Sequence, residues 1–421
     1  MNNIQKYNDL LLNRLSLIFL LSLINIANLL GQTTENTTVT EILDSRIYDI
    51  PKIHWEPSKD QGDIKGLFYT TTPFKGKETR VFAYLGIPKS DKKVPAMVLV
   101  HGGGGTAFHE WVKIWNDRGY AAIAMSLEGH MPNEEGKGKH RHEYSGPKRT
   151  GRFDDIEKPV KEQWMYRAVT DAILGHTLLA SFPEVDANRI GITGISWGGI
   201  ISSLISGVDT RFKCAMPVYG AGFLYNSKGH FGDHGDASEA FIEKKKFWDP
   251  SHQFKNGNIP TLWVNSDSDG HFSLNITSDS YKITSNHAYM SIHPGMAHGH
   301  LKGWDIKIVP ELYAFADHIL KAEGANLTQI TEQPKGRRSV MTYASEKAIT
   351  KASIYYLKEP LTYRRVEGEK HPKPGTWIVK EAKINQNKKS VKIKLPKDCK
   401  TYYVNLEDER GFISSSVLIE L

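Results

Sequence analysis

Arg189-Ile-Gly-Ile-Thr-Gly-Ile-Ser-Trp-Gly-Gly199 decides the fold. The β-branched residues Ile190, Ile192 and Thr193 read as a strand, and the apolar run Ile200 to Ile205 reads as a helix. Between them lies Gly194-Ile195-Ser196-Trp197-Gly198, a Gly-x-Ser-x-Gly turn that holds a serine hydroxyl exposed at the end of a strand. Two physical demands call for its glycines: the turn needs strained backbone angles, and neighbouring chain passes too close for a Cβ. In a chain with 36 glycines the pentapeptide alone says little. The strand before it and the helix after it make Ser196 the candidate nucleophile.

A second signal lies upstream. Val94-Pro-Ala-Met-Val-Leu-Val100 reads as a fully buried strand and runs into His101-Gly102-Gly103-Gly104-Gly105. Such a loop turns backbone N–H groups toward a developing oxyanion, making Gly103 and Gly104, with Trp197, the candidate oxyanion donors. A flexible loop or an anion-binding nest without chemistry is the plainer reading. An acid after a later strand and then a histidine are required to complete a triad in this chain order. Ile259-Pro-Thr-Leu-Trp-Val-Asn265 is followed by Ser266-Asp267-Ser268-Asp269-Gly270-His271, and Met290-Ser-Ile-His-Pro-Gly-Met-Ala-His298-Gly-His300 comes next. Asp269 and His298 are the candidates; Asp267 competes for the first role, and His293 and His300 for the second. In such a triad the histidine takes the serine proton and the acid fixes the imidazole tautomer.

Other stretches carry a resemblance. Glu162-Gln-Trp-Met-Tyr166, Ser181-Phe-Pro-Glu-Val-Asp186, Arg189 to Gly199, Phe212-Lys-Cys-Ala-Met-Pro-Val-Tyr-Gly220, Trp248-Asp-Pro-Ser251, Trp263-Val-Asn265 and Met296-Ala-His298-Gly299 resemble secreted bacterial α/β-hydrolases related to acetyl xylan esterases and dienelactone hydrolases, and more distantly prolyl oligopeptidases. The likeness covers roughly residues 75 to 322. It implies a serine esterase acting on a carbohydrate ester, without a cofactor. The family usually carries Gly-Thr-Asn-Asp where this chain has Ser266-Asp-Ser-Asp269, a departure at the acid itself. His101, Glu128, His130, Arg149, Tyr219 and His271 are candidate substrate contacts, and Glu128 is a further candidate acid. Three alternatives stay open: a lyase or dehydratase acting on uronic-acid oligosaccharides, a peptidase, and a sugar-binding protein with a dead site.

The rest of the chain sets the organisation. At 421 residues, with 39% hydrophobic and 24% charged residues, a large globular enzyme with an accessory module is expected. Lys6 and Arg14 precede the apolar run Leu15 to Leu30, which reads as a signal peptide over residues 1–31 rather than a membrane span; no cysteine follows it, so a periplasmic or secreted protein is expected. Residues 32–70 read as an extended lead-in with one β-rich stretch, Gly66 to Thr70. Residues 71–330 alternate strands with helical stretches, among them Met165 to Leu179 at helical spacing and a closing helix Pro310 to Leu320, and so predict an α/β fold with a mostly parallel sheet. Residues 337–421 turn to short alternating strands, which predict a small β-sandwich.

Charge follows the same division. Residues 331–421 hold 19 Lys and Arg against 11 Asp and Glu, whereas residues 32–330 are slightly acidic. The basic module reads either as a solvated face or as a dock for an acidic polymer. Nucleic acid is not an expected partner. The loop Met131 to Arg152 carries Lys137, Lys139, Arg141, Lys148, Arg149 and Arg152 with Glu134, Glu135, Glu143, His140 and His142, and reads as a lid or wall for an acidic sugar or as a solvated insertion. Cys214 reads as a buried thiol. No metal motif is present, and His293, His298 and His300 are too weak a set to imply a metal.

Overall fold

The computed structural model describes residues 38–132, 140–232, 238–254, 259–284, 287–300, 305, 307–364, 367 and 372–421. The expected signal peptide and residues 133–139 of the charged loop lie outside them. Among the described residues, no helix is long and apolar enough to cross a membrane. The chain divides into two units, Met1–Leu43 and Asp44–Leu421. In the first, Val39–Ile42 (α1) forms one turn closed by reciprocal bonds between Thr38 and Glu41. All that follows concerns the second.

Nine strands form one sheet in the order β1-β2-β3-β5-β4-β6-β7-β8-β9. They are Ile53–Trp55 (β1), Lys65–Phe74 (β2), Lys77–Gly86 (β3), Val94–Val100 (β4), Ala121–Met125 (β5), Val185–Ile195 (β6), Ala215–Val218 (β7), Thr261–Ser266 (β8) and Ala288–His293 (β9). β1, β2, β3 and β5 pair antiparallel, and the pairs from β5 through β4 to β9 are parallel. Parallel strands need crossovers that cover both faces, which is why β4 and β5 are buried along every residue and read as unbroken apolar runs. The β-rich stretch at Gly66 belongs to the ten-residue strand β2 of this sheet, not to an extended lead-in.

The helices are His109–Asp117 (α2), Trp164–Ser181 (α3), Trp197–Ser206 (α4), Glu239–Lys246 (α5), Leu274–Ile283 (α6) and Pro310–Ala316 (α7). The closing helix keeps α geometry only to Ala316 and continues as a π turn over Asp317–Lys321. Helix α3 is buried from Trp164 to Leu179, including the ion pair Arg167–Asp171. Asp171 accepts from Thr71 Oγ1 at 2.5 Å and Arg167 from its partner side reaches Thr72 and Thr79, so the pair fixes this helix to the antiparallel strands. This is an α/β-hydrolase fold: the nucleophile position follows β6, the acid position β8 and the histidine position β9.

Two antiparallel sheets follow. Gln329–Glu332 (β10), Arg338–Ala344 (β11), Lys383–Asn385 (β14) and Ser390–Lys394 (β15) form one. Ile349–Leu357 (β12), Ile378–Glu381 (β13), Thr401–Asp408 (β16), Ile413–Ser415 (β17) and Ile419–Glu420 (β18) form the other. Met341, Ile354, Val391, Ile393, Tyr402, Val404 and Leu406 make their shared core. Residues 413–420 hold two short strands with a break between them, and β10 begins at Gln329, within the residues 71–330 read as the α/β part, yet pairs with β11 of these sheets.

β16 is buried on both faces. Its inner face fills that core, and its outer face meets β9, the last strand of the large sheet. There Asn405 Nδ2 donates to the Ile292 carbonyl at 2.9 Å, and the Ile292 N–H donates to Ser415 Oγ at 2.8 Å. The open edge of the large sheet is thereby capped by side chains from the smaller ones.

Candidate active site

Gly194 and Gly198 are required by close approach. A Cβ on Gly194 would collide with the Gly198 carbonyl, and one on Gly198 with the Val100 carbonyl. The chain reverses at Ser196, which sits at φ 59° and ψ −115°, a conformation costly for a residue with a Cβ. Its N–H donates to the Val218 carbonyl at 2.9 Å, which locks the turn onto β7.

The hydroxyl meets a histidine. His298 Nε2 lies 3.0 Å from Ser196 Oγ, and His298 Nδ1 lies 2.5 Å from Asp269 Oδ2. The other oxygen of Asp269 accepts the N–H groups of His271 at 2.7 Å and Phe272 at 2.9 Å. Burial acts to raise the Asp269 carboxyl, but the His298 ring and these hydrogen bonds outweigh it and hold the group below the usual carboxylate range. The imidazole of His298 is flanked by the rings of Tyr219 at 4.7 Å and His271 at 4.5 Å. The sequence order Ser196, Asp269, His298 is thus one hydrogen-bonded chain in space.

Several other residues singled out in the sequence serve different ends. Asp267 faces away from His298, accepting from Gly295 N–H and Tyr403 Oη. His293 bonds Ser291 and Glu311 in the interior. His300 packs against Phe108 and Trp111, and burial lowers its pKa. The rings of His293, His298 and His300 therefore turn to three separate sets of partners. Tyr219 is fully buried and donates its hydroxyl to the Ala297 carbonyl at 2.9 Å, so it supports the histidine loop and offers nothing to a substrate.

His101 is also interior. Burial pushes its imidazole down to about 4, and the neutral ring donates from Nδ1 to the Gly102 carbonyl while Nε2 accepts from Leu127 N–H at 2.9 Å. It shapes the glycine loop from beneath. Gly104 gives its N–H to Glu128 Oε1 at 2.8 Å, so it is not an oxyanion donor in this conformation. As the first residue of α4, Trp197 has no acceptor for its N–H within the helix, so Trp197 and Gly103 remain the candidate donors.

Glu128, only 6% exposed, ties the site together. Burial acts to raise its carboxyl, while the Arg149 guanidinium and the Gly104 N–H outweigh that and hold it down. Arg149 Nε donates to Glu128 at 2.7 Å, and the guanidinium lies over the Trp197 ring, 5.3 Å from its centroid. A Cβ on Gly103 would come within 3.0 Å of Arg149 Nη2. Of the charged loop, Arg149 therefore reaches the site. Arg141 turns back to the carbonyls of Glu128, Gly146 and Pro147, and Arg152 bonds the His230 carbonyl. His130 is half-buried and contributes its carbonyl to the loop, accepting from Thr106 Oγ1.

Sequence reading missed the aromatic cage that holds Trp197. Phe153, Trp164 and Phe231 meet the indole edge-on at 5.1, 5.3 and 5.4 Å. They come from a loop, a helix and a 3-10 turn with no shared periodicity. Cys214 is buried, and burial raises its thiol to about 12, so it is inert.

With the geometry in view, comparisons with known proteins give the family. The acetyl xylan esterase (AXE1) family model matches residues 18–262, more than half of the chain. The match includes Ser196 and ends before Asp269 and His298. A curated relative, the "Uncharacterized peptidase YuxL" of Bacillus subtilis (strain 168), is 26% identical over 179 residues, which are 40% of this chain and 24% of the relative. The chain therefore spans about a quarter of that relative's length. Among solved structures, acetyl xylan esterase 1 from Thermoanaerobacterium sp. JW/SL YS485 aligns at 17% identity and a TM-score of 0.49, over 62% of this chain and 88% of that one. The acylaminoacyl peptidase of Pyrococcus horikoshii aligns at 19% identity and a TM-score of 0.47, over 63% and 43%. By its family match this chain, a serine hydrolase in fold and class, belongs to the acetyl xylan esterase family.

Proposed function

We propose that the protein is an exported serine esterase that removes acyl groups, acetyl first among them, from a carbohydrate. The observation that carries this reading is the unbroken Ser196–His298–Asp269 hydrogen-bond chain at a strained strand-to-helix turn. Ser196 Oγ attacks the ester carbonyl as His298 Nε2 takes its proton. Asp269 holds the Nδ1–H tautomer and stabilises the cation that forms. The oxyanion of the tetrahedral intermediate is met by the N–H groups of Trp197 and Gly103. His298 then returns the proton to the leaving sugar hydroxyl, and a water repeats the sequence on the acyl-enzyme.

The carbohydrate substrate is supported by the family match, and export by the run Leu15 to Leu30 behind Lys6 and Arg14. One observation favours a second reading. Arg149 places a cation beside the oxyanion loop, where it suits a substrate carboxylate and, with it, proton abstraction next to a uronate. A single experiment separates the two. Purified protein is incubated with p-nitrophenyl acetate, acetylated xylo-oligosaccharides and saturated uronic-acid oligosaccharides, and the products are weighed by mass spectrometry. Loss of an acetyl group with release of acetate is expected. Loss of water from the uronates with the acetyl esters untouched would replace the esterase with a dehydratase.

A further inference from the structure

Asp267 and Asp269 lie on one loop after β8, both buried, and only the second touches His298. The first is engaged on three sides by two different parts of the protein. Asp267 Oδ1 accepts the Gly295 N–H at 2.7 Å, and Gly295 lies in the loop that carries His298. Asp267 Oδ2 accepts the Tyr403 hydroxyl at 2.9 Å, and its carbonyl accepts the Trp377 indole N–H at 3.0 Å. Tyr403 is on β16 and Trp377 immediately precedes β13, both in the C-terminal sheets. These two donors are themselves fixed. Tyr403 stacks on Tyr355 at 4.9 Å with the rings 5° from parallel, and it meets the Trp377 ring edge-on at 5.2 Å.

From this we infer that Asp267 is a positioning residue: it fastens the acid loop to the histidine loop and anchors both to the C-terminal sheets. The inference rests on the esterase reading for its kinetic consequence, but not for its geometry. The acid loop has a further anchor in Asn265, whose side chain donates to the Phe272 carbonyl at 3.0 Å. The histidine loop bends at Gly295, which has a φ of +70°, and Gly295 N–H is the point where Asp267 grips it. Beside that bond, the histidine loop is joined to the acid loop by the 3.4 Å bond from the Ser268 hydroxyl to the Met296 carbonyl and by the Asp269–His298 contact that the loops are meant to align. Hydrogen bonds to a well-placed carboxyl also explain why a buried acid is kept here rather than an apolar residue. The C-terminal sheets are then part of the catalytic framework, although no described residue of theirs is a hydrogen-bond partner of the Ser196 hydroxyl.

The test uses the full chain. Asp267→Ala removes the acceptor for both loops, whereas Asp267→Asn keeps an amide oxygen for Gly295 N–H and can still pair with the Tyr403 hydroxyl. Two readouts are taken: kcat and KM on p-nitrophenyl acetate, and the far-downfield proton resonance of the hydrogen bond between Asp269 and His298. Asp267→Ala is expected to lower kcat about 10- to 100-fold with KM within about threefold, the scale of a misplacement remote from the chemistry, and to broaden or abolish the resonance. Asp267→Asn is expected to keep both within about threefold. Should the alanine variant fail to fold, Tyr403→Phe with Trp377→Phe removes the two C-terminal donors without opening a large cavity, and a kcat loss of about fivefold with a weakened resonance is expected. An unchanged resonance or an unchanged kcat in the alanine variant, or in the double variant where the alanine protein does not fold, overturns the inference; so does an equal loss in Asp267→Asn. Ser196→Ala run alongside keeps the two readings apart: if it stays active the esterase reading falls, and the resonance alone then decides the role of Asp267.

Discussion

Strand β4 is buried along all seven residues, while β13 is exposed along all four. The two parts of the molecule bury their cores in different ways, and they contribute to the site differently. The large sheet hides its strands beneath helices on both faces, so its polar chemistry can appear only where strands end. Ser196, Asp269 and His298 follow β6, β8 and β9 in turn. The C-terminal sheets are thin and covered on one side, and β16 uses its second face to reach outward through single side chains. Tyr403, Asn405 and Ser415 reach the acid loop and the edge strand of the large sheet. One part supplies reacting groups from loops, and the other supplies restraint from strands.

The sharpest way to break that contrast is at the nucleophile. Ser196→Ala is expected to leave the fold intact, because the hydroxyl's hydrogen-bond partner among the described residues is His298, and to lower kcat by about 10⁶-fold, as in a triad acting as a unit. Turnover of p-nitrophenyl acetate, with circular dichroism as the control for folding, checks it. A folded variant with near-parental turnover would remove the large sheet's loops from the chemistry.

Next in size is the acid. Asp269→Asn keeps the shape but disfavours the histidine tautomer that presents Nε2 to Ser196, and a loss of about 10⁴-fold in kcat is expected. Asp267→Asn, two residues away, is expected to stay within about threefold. Reversed ranking in the same assay would mean that the restraining aspartate and the reacting one had been exchanged.

How much of this was legible in the sequence can be argued from these positions. The turn around Ser196 and the glycine loop after β4 were readable because close backbone approach leaves glycine no substitute, and the run from Val94 to Val100 was readable because a strand buried on both faces has no polar alternation. The choice between Asp267 and Asp269 was not readable from residue type, since both are buried carboxylates in one loop and differ only in the direction they face. The aromatic cage of Trp197 was invisible because its members are distant in sequence. Gly104 looked equivalent to Gly103 until the loop's conformation gave its N–H to Glu128. The short alternating pattern of residues 337–421 marked strands but did not say that both faces of β16 would be covered. The basic balance of residues 331–421 reads as a solvated face or as a dock, and the bearing of this part on the large sheet came only from side-chain bonds.

A milder perturbation tests the restraint itself. Asn405→Ala with Ser415→Ala leaves the Ile292 N–H and carbonyl without partners at a buried strand edge, and a destabilisation of about 2–4 kcal/mol is expected for two such groups. Denaturant unfolding measures it. Unchanged stability would mean that the two sheets merely touch along β9.

The smallest expected effect concerns pH, where the two aspartates oppose each other. Asp269 is held below its unfolded value, so its contribution to stability is present above roughly pH 4 and is lost as pH falls through the folded pKa. Asp267 has the opposite sign. Burial pushes its carboxyl up, and the bonds from Gly295 and Tyr403 oppose this without cancelling it. A group raised on folding favours the native state most below its unfolded value, and that advantage is lost as pH rises through the folded one. Asp267→Asn removes this second dependence and leaves the first. The melting temperature of the variant relative to the parent should therefore improve between pH 4 and pH 7, because the parent's raised carboxyl loses its native-state advantage as it ionises with rising pH while the amide does not titrate. Thermal unfolding of both proteins across that range decides it. A difference that is flat with pH, or that shrinks as pH rises, would show that the Gly295 and Tyr403 bonds fully compensate the buried charge, and the restraining aspartate would then be ionised at no cost to the fold.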